Sequence, residues 1–207
     1  MTRDSHRADA AILQESSGFH AMCKKLLGEN VAVLEQTIQL LGPRQVSRAV
    51  DLLRRSRRVV CMGQGSSMVL SEEAWTLFST VSPKFLFVPD SHLQMNTLAL
   101  MDPDELVLFF SYSGSTRDFQ DLLEVARQRQ VKVVLVSRFP KSPGGQLADV
   151  VLQCGADEGP LQAGSVNARM AQLFVLDVLF QEFCMRAPEE TEQSREQIAE
   201  AVARKHL

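Results

Sequence analysis

The sequence predicts an α/β fold, a doubly wound parallel sheet of about five strands flanked by helices, and three observations predict it. Short apolar runs alternate roughly five times with segments of helical periodicity. The middle run, Leu106–Phe110, has no polar position at all, as expected of a strand covered on both faces of a parallel sheet. Two of the runs pass directly through a glycine- and hydroxyl-rich turn into a helix, at Gly63–Ser67 and at Ser111–Thr116.

The chain of 207 residues suits one sizeable core with extensions rather than two domains. With 45% hydrophobic and 23% charged residues and a net charge of -3, it has no general attraction for polyanions. No apolar run approaches the roughly 20 residues needed to span a bilayer, and the polar start 1–10 lacks the apolar core of a signal peptide. The simplest location is cytoplasmic, with no membrane partner. Cys23, Cys61, Cys154 and Cys184 lie far apart, with no Cys-x-x-Cys and no histidine to complete a zinc site, so they read as buried thiols and no metal is expected.

Taken in order, residues 1–20 form a flexible N-terminal lead, too short for a DNA-binding headpiece. From Met22, apolar residues recur every three or four positions through Leu26, Val31, Leu34, Ile38 and Leu41, until Gly42-Pro43 ends the helix. A second helix carries Val46, Ala49, Val50 and Leu53. It closes on Arg54, Arg55, Arg57 and Arg58, which read as a solvated cap at the negative end of the helix dipole. Arg58–Met62 is a strand running into Gly63-Gln64-Gly65-Ser66-Ser67 and a helix marked by Leu70, Ala74, Leu77 and Phe78. A dinucleotide fingerprint would need a third glycine at Met68 and an acidic residue ending the next strand; both are missing, so no nicotinamide cofactor is expected.

Phe85–Val88 is the next strand, followed by Pro89-Asp90-Ser91-His92 and a short helix with Leu93, Leu98 and Met101. After the strand Leu106–Phe110 comes a helix at 116–129, with Phe119, Leu122, Leu123 and Ala126 at helical spacing. Val131–Val136 is a strand, Phe139–Gly145 a loop, Asp149–Cys154 a strand, and Gly155–Gly164 a loop holding Asp157 and Glu158. Ser165–Met185 is a long helix stopped by Pro188. The body therefore spans 21–187. The charged tail 188–207 is either a loosely docked helix or an arm to a neighbouring subunit.

In doubly wound sheets, ligands sit beyond the carboxyl ends of the strands at the switch point, where both turns would lie. Ser111, Ser113, Ser115 and Thr116 surround Gly114 at a helix N-terminus. Free backbone N–H groups, the helix dipole and short hydroxyls there favour a compact anion, and the chemistry implied is phosphate capture. An isolated Ser-x-Ser-Gly is more often a plain helix cap; two such turns on one edge weigh against that.

The motifs Gly63-Gln-Gly-Ser-Ser67, Pro89-Asp-Ser-His92, Ser111-Tyr-Ser-Gly-Ser-Thr116, Ser142-Pro143 with Leu147-Ala-Asp149, and Ala168-Arg169 with Gln172-Leu173 and Asp177 jointly resemble the sugar isomerase (SIS) domain. The resemblance covers Leu26–Arg186 and is nearest to the phosphosugar-binding effector domain of RpiR-family transcriptional regulators. It implies a sugar phosphate bound by Gly65, Ser66 and Ser67 together with Ser111, Tyr112, Ser113, Gly114, Ser115 and Thr116. It also implies a homodimer or homotetramer, and no cofactor. His92 is similar to an active-site histidine of arabinose-phosphate isomerases, where an imidazole transfers protons or opens the ring; a helix cap or a bond to a sugar hydroxyl is an equal reading. Glu158 stands where a glutamate lines SIS isomerase sites.

The arabinose-phosphate isomerases place lysine where this chain has Ser66, and many SIS enzymes place glutamate where it has Ser115. Arg169, Asp149 and Asp177 read as structural as readily as functional. The expectation is a ligand-sensing module of an RpiR-like regulator, which by itself does not bind DNA. The alternative is a stand-alone aldose–ketose sugar-phosphate isomerase using His92 and Glu158.

Overall fold

The computed structural model describes residues 3–155 and 166–203, with side chains from Gly18 onward. In chain order the elements are α1 (Arg3–Leu40), α2 (Pro43–Arg55), β1 (Val59–Gly63), a single 3-10 turn (Gly65–Ser67), α3 (Met68–Ser79), β2 (Phe85–Phe87), α4 (Ser91–Ala99), β3 (Leu106–Phe110), α5 (Arg117–Gln128), β4 (Lys132–Ser137), α6 (Pro143–Leu147), β5 (Val150–Gln153), α7 (Val166–Met185) and α8 (Pro188–Ala203). Among the described residues the strands form one 5-stranded sheet, parallel throughout, in the order β2-β1-β3-β4-β5. This is the doubly wound α/β sheet the sequence predicts. The chain steps outward from β1 to β2, then returns to pair β3 on the other edge of β1.

Parallel crossovers are right-handed, so the two directions of travel place their helices on opposite faces. The alternation of side chains along each strand divides the core accordingly. Leu106, Leu108 and Phe110 of β3 pack with α2, α3 and α7, whereas Val107 and Phe109 pack with α4 and α5. The unbroken apolar run is therefore two period-2 faces read together. Phe78 is central to the first face, stacked on Phe85 at 4.3 Å and met edge-on by Phe180 at 5.3 Å and Phe183 at 5.2 Å. On the second, Phe109 stacks on Phe119 at 4.1 Å. Each such pair adds about 0.5–1.5 kcal/mol beyond its buried area.

Two helices and one cysteine differ from expectation. Helix α1 begins at Arg3 and not near Met22, so the stretch read as a flexible lead is helical from residue 3. Alanine, glutamine and glutamate at 8–15 are good helix formers, and propensity extends the helix without a regular apolar stripe. Helix α6 interrupts the loop expected at 139–145. Its Gly144 and Gly145 look like breakers, but a Cβ on Gly144 would overlap the Phe119 ring, and one on Gly145 would meet the Pro140 carbonyl. They are glycines because neighbours approach closely. The tail is helical in α8, as one of its two expected readings has it, and is held at its start by Arg54–Glu190 at 3.2 Å and by the buried Thr191. Cys61, Cys154 and Cys184 are buried as expected, but Cys23 on α1 is exposed. Burial pushes the Cys61 thiol well above its ordinary range.

Of the arginine cluster after α2, Arg54, Arg57 and Arg58 form ion pairs, while Arg55 is exposed as the solvated reading expects. The Glu105 side chain is fully buried at the amino end of β3, with Arg58 Nε at 2.6 Å and Arg57 NH2 at 3.0 Å. Arg57 also reaches Asp102 and Asp104, both at 3.1 Å, and Glu105 accepts the Asp102 N–H at 3.0 Å. This closes the edge of the sheet opposite the glycine-rich turns. Glu105→Ala would leave both arginines and one amide without their buried acceptor, and breaking such a pair costs about 3–5 kcal/mol. Urea unfolding is expected to show a loss of about 3 kcal/mol, since the arginines are partly hydrated; a loss under about 1 kcal/mol would contradict the role given to Glu105.

Candidate functional site

The reversal of strand order at β1 and β3 sets the two glycine-rich turns side by side. β1 ends at Gly63 and leads through the 3-10 turn Gly65–Ser67 into α3. β3, paired to β1 from Val59↔Leu106 to Gly63↔Phe110, leads through Ser111–Thr116 into α5. The second turn needs glycine at 114. Gly114 has φ +60, and a Cβ there would run into the Ser142 side chain. The turn is also bonded within itself: Ser111 Oγ accepts the Gly114 N–H at 3.2 Å, and Ser115 Oγ donates to the Ser113 carbonyl at 3.0 Å.

Thr116 occupies the N-cap position of α5, and Ser67 that of α3. Neither hydroxyl caps its helix. The N-caps of α4 and α6 behave otherwise: Asp90 accepts the Leu93 N–H at 2.9 Å, and Ser142 accepts the Gly145 N–H at 3.1 Å. Thr116 Oγ1 instead donates across to Gln64 Oε1 at 3.5 Å, joining the two turns. Gln64 Nε2 is buried and has no hydrogen-bond partner among the described residues, which leaves one donor of this link for an acceptor.

Between the turns lies a cavity of about 470 Å³. Of the residues predicted to bind, Gly65, Ser66, Ser67, Ser111, Tyr112, Ser113 and Thr116 line it; Gly114 shapes the turn and Ser115 is exposed beyond it. Helix α7 supplies the far wall, with Arg169 and with Gln172, whose Nε2 donates to the Val136 carbonyl at 3.2 Å. Arg117 and Asp118, on the first turn of α5, complete it. Sequence reasoning passed over Gln64, Arg117 and Asp118, although each lies in or beside one of the two turn motifs. Arg169 faces the cavity rather than only packing behind it. Asp149 is structural, pairing with Lys132 at 2.9 Å and accepting the Val133 N–H at 2.9 Å.

His92 is exposed on the first turn of α4 and does not line this cavity. Glu158 lies outside the described residues. Among the described residues, no group of three or more His, Cys, Asp or Glu could hold a metal ion, and no helix is long and apolar enough to cross a membrane. Two guanidinium groups, one carboxylate, several hydroxyls and two helix N-termini surround one cavity, chemistry that suits a compact anion attached to a polar body.

The family profile described as SIS domain matches residues 52–181. The protein named "Uncharacterized HTH-type transcriptional regulator YbbH" from Bacillus subtilis is 27% identical over 161 residues, 77% of this chain and 57% of that protein. The chain spans between 53% and 64% of the length of three such curated relatives. Among solved structures, the Vibrio vulnificus NanR protein complexed with ManNAc-6P superposes with a TM-score of 0.84 at 24% identity, covering 93% of this chain and 73% of that one. The sugar isomerase domain of the RpiR transcription factor from Sphaerobacter thermophilus gives 0.77 at 21% identity, covering 85% and 97%.

If the Thr116 hydroxyl does not cap α5, removing it should leave the unliganded fold nearly unchanged. Thr116→Val is expected to alter unfolding free energy by less than about 0.5 kcal/mol, whereas Asp90→Ala, which removes a true cap, should cost about 1 kcal/mol. Equal losses in chemical denaturation would make Thr116 an ordinary cap.

Proposed function

The chain belongs to the SIS domain family, and on that premise we propose that its cavity binds a phosphorylated sugar and that it is the ligand-sensing module of an RpiR-like transcriptional regulator. The observation that carries the reading is the pair of N-cap hydroxyls that leave their own helices uncapped and border one cavity. The phosphate is assigned to the Ser111–Thr116 turn and to Ser66 and Ser67, with Arg117 and Arg169 supplying charge. The likeness to NanR, a regulator named with ManNAc-6P bound, supports a ligand of this kind.

Sensing is placed ahead of turnover on a specific ground. Aldose–ketose interconversion needs a base within reach of adjacent sugar carbons. Asp118 is the one carboxylate among the described residues lining the cavity, and it stands beside Arg117 at the phosphate end. The isomerase reading keeps His92 and Glu158 as its acid–base groups and comes second.

A homodimer or homotetramer belongs to the same proposal. Helix α1 has 38 residues and α7, on which it packs, has 20, so α1 overhangs by roughly 27 Å at 1.5 Å per residue. Phe19, Met22 and Leu26 are exposed, yet they continue at helical spacing the stripe that Val33 and Thr37 present to the body. An apolar stripe so placed suits a second copy of the chain. With a net charge of -3, this chain alone is not expected to bind DNA. Light scattering should give a dimer or tetramer, and duplex DNA should run unretarded at physiological salt; a monomer mass or salt-dependent retardation would count against these parts.

The ligand itself is tested by thermal unfolding with ManNAc-6P, arabinose 5-phosphate and further sugar phosphates, each beside its dephosphorylated counterpart. At 100 times the dissociation constant a ligand of the folded state adds about 2.7 kcal/mol. For a chain of this size that is a rise of roughly 5–11 °C. Ser113→Ala with Thr116→Val should abolish most of the rise. A neutral sugar matching its phosphate, or a full rise in the double variant, would refute phosphate capture at this turn.

A further inference from the structure

Two glutamines are buried at the carboxyl edge of the sheet, one from a helix on each face. Gln94 of α4 is 0% exposed and Gln172 of α7 is 1% exposed. Each donates through Nε2 to backbone carbonyls where the strands end: Gln94 to Gly63 at 3.0 Å and to Val88 at 2.8 Å, Gln172 to Val136 at 3.2 Å. Their oxygens differ. Gln94 Oε1 is enclosed without a partner, and Gln94 does not line the cavity between the turns. Gln172 Oε1 also makes no hydrogen bond among the described residues, but it is not enclosed, and Gln172 does line the cavity. That oxygen is therefore the polar atom that Gln172 presents to the ligand space.

Its direction is fixed by the backbone. The Val136 carbonyl can only accept, so the nitrogen of the Gln172 amide faces it; a flipped amide would set two acceptors against each other. The same carbonyl accepts the Ser111 N–H at 3.1 Å, which uses its second lone pair. One carbonyl thus anchors both the first residue of the Ser111–Thr116 turn and the amide of Gln172, and it sets the spacing between the turn and Oε1. An oxygen that only accepts has no use for a phosphate, whose oxygens at neutral pH are acceptors too. It needs a donor. The guanidinium groups of Arg117 and Arg169 only donate, and the Asp118 carboxylate belongs to the first turn of α5, beside the phosphate turn. On the α7 wall, the side-chain acceptor is Gln172.

We propose that Gln172 Oε1 accepts a hydrogen bond from one hydroxyl on the carbon body of the bound sugar phosphate, and that this bond selects ligands by where that hydroxyl stands relative to the phosphate. This rests on the phosphosugar reading above and names a specificity residue within it. Because Oε1 is held in place and nearly enclosed, a ligand without a donor there leaves a desolvated acceptor unpaired, the mismatch that a polar site rejects most strongly. The phosphate supplies affinity at the turn; Gln172 decides which sugar comes with it.

Calorimetry with ManNAc-6P, arabinose 5-phosphate, glucose 6-phosphate and fructose 6-phosphate finds which of them binds tightest. For that sugar, analogues are compared in which each hydroxyl in turn is replaced by fluorine, which keeps the size and cannot donate. On the wild-type chain, fluorine at one position is expected to cost about ten-fold or more in affinity, as an unpaired buried acceptor demands. Gln172→Met, first checked by thermal unfolding, should bind the parent sugar about ten-fold more weakly, lose no more than about twofold further at that position, and keep its affinity for inorganic phosphate. If the variant does not fold, the Gln172 side-chain amide resonance of the wild-type chain gives the readout by 1H–15N NMR. It should move on saturation with the parent sugar, and not with inorganic phosphate or with the analogue fluorinated at that position. Equal losses in wild type and variant at every position, a variant that binds the parent sugar as tightly, an equal loss of inorganic phosphate affinity, or an unmoved resonance would overturn the proposal while leaving phosphosugar binding intact. Failure of all these sugar phosphates to bind would overturn the phosphosugar reading and this one with it.

Discussion

The pairing of β1 with β3 is the constraint on which the site depends. Five residues of each strand run in parallel register, from Val59 against Leu106 to Gly63 against Phe110. Because β2 pairs on the far side of β1, the chain must reverse its direction of travel there, and the two strands end at the same height. The turns leaving them are forced together. Both turns are built of glycine and serine, so two helix N-termini and their hydroxyls face one space. The same register at the other end brings Arg57 and Arg58 against Glu105. The ion pairs at one end and the cavity between the turns at the other are two consequences of one alignment.

The site contrasts with the caps elsewhere in the molecule. A serine, threonine or aspartate before a helix ordinarily satisfies one of its free amides, as Asp90 and Ser142 do. At Ser67 and Thr116 that bond is absent. The Thr116 hydroxyl is turned to Gln64 instead, and the amides at the two helix starts receive no cap from these side chains. On the reading proposed above, an anion would satisfy those amides and gain from the helix dipoles.

Much of this was legible in the sequence, for physical reasons. Each strand is a run of apolar residues of strand length, and each turn is marked by glycine beside hydroxyls, so the doubly wound fold and the hydroxyls of the site could be read directly. The rest depends on partners distant in the chain. Which side of β3 faces α7 and which faces α5 leaves no trace in a run that is apolar throughout. Glu105 finds Arg57 and Arg58 only once β1 and β3 are aligned. Arg169 enters the cavity because α7 crosses over the ends of β3 and β4. Gly144 and Gly145 look like breakers until Phe119 and Pro140 are placed beside them. His92 stands in a motif that reads as part of a site, but it starts a helix that comes after the edge strand β2, and within this chain it is exposed away from the cavity.

The central claim is that a phosphate sits on the turn between β3 and α5. Backbone amide shifts followed by 1H–15N NMR during titration with a sugar phosphate that stabilises the fold test it most directly. The account predicts the largest changes at Ser113 to Arg117, with a second group at Ser66 and Ser67, and a matching change for inorganic phosphate at higher concentration. Changes centred on α4 near His92, or on the exposed stripe of α1, with the Ser111–Thr116 amides unmoved, would contradict it.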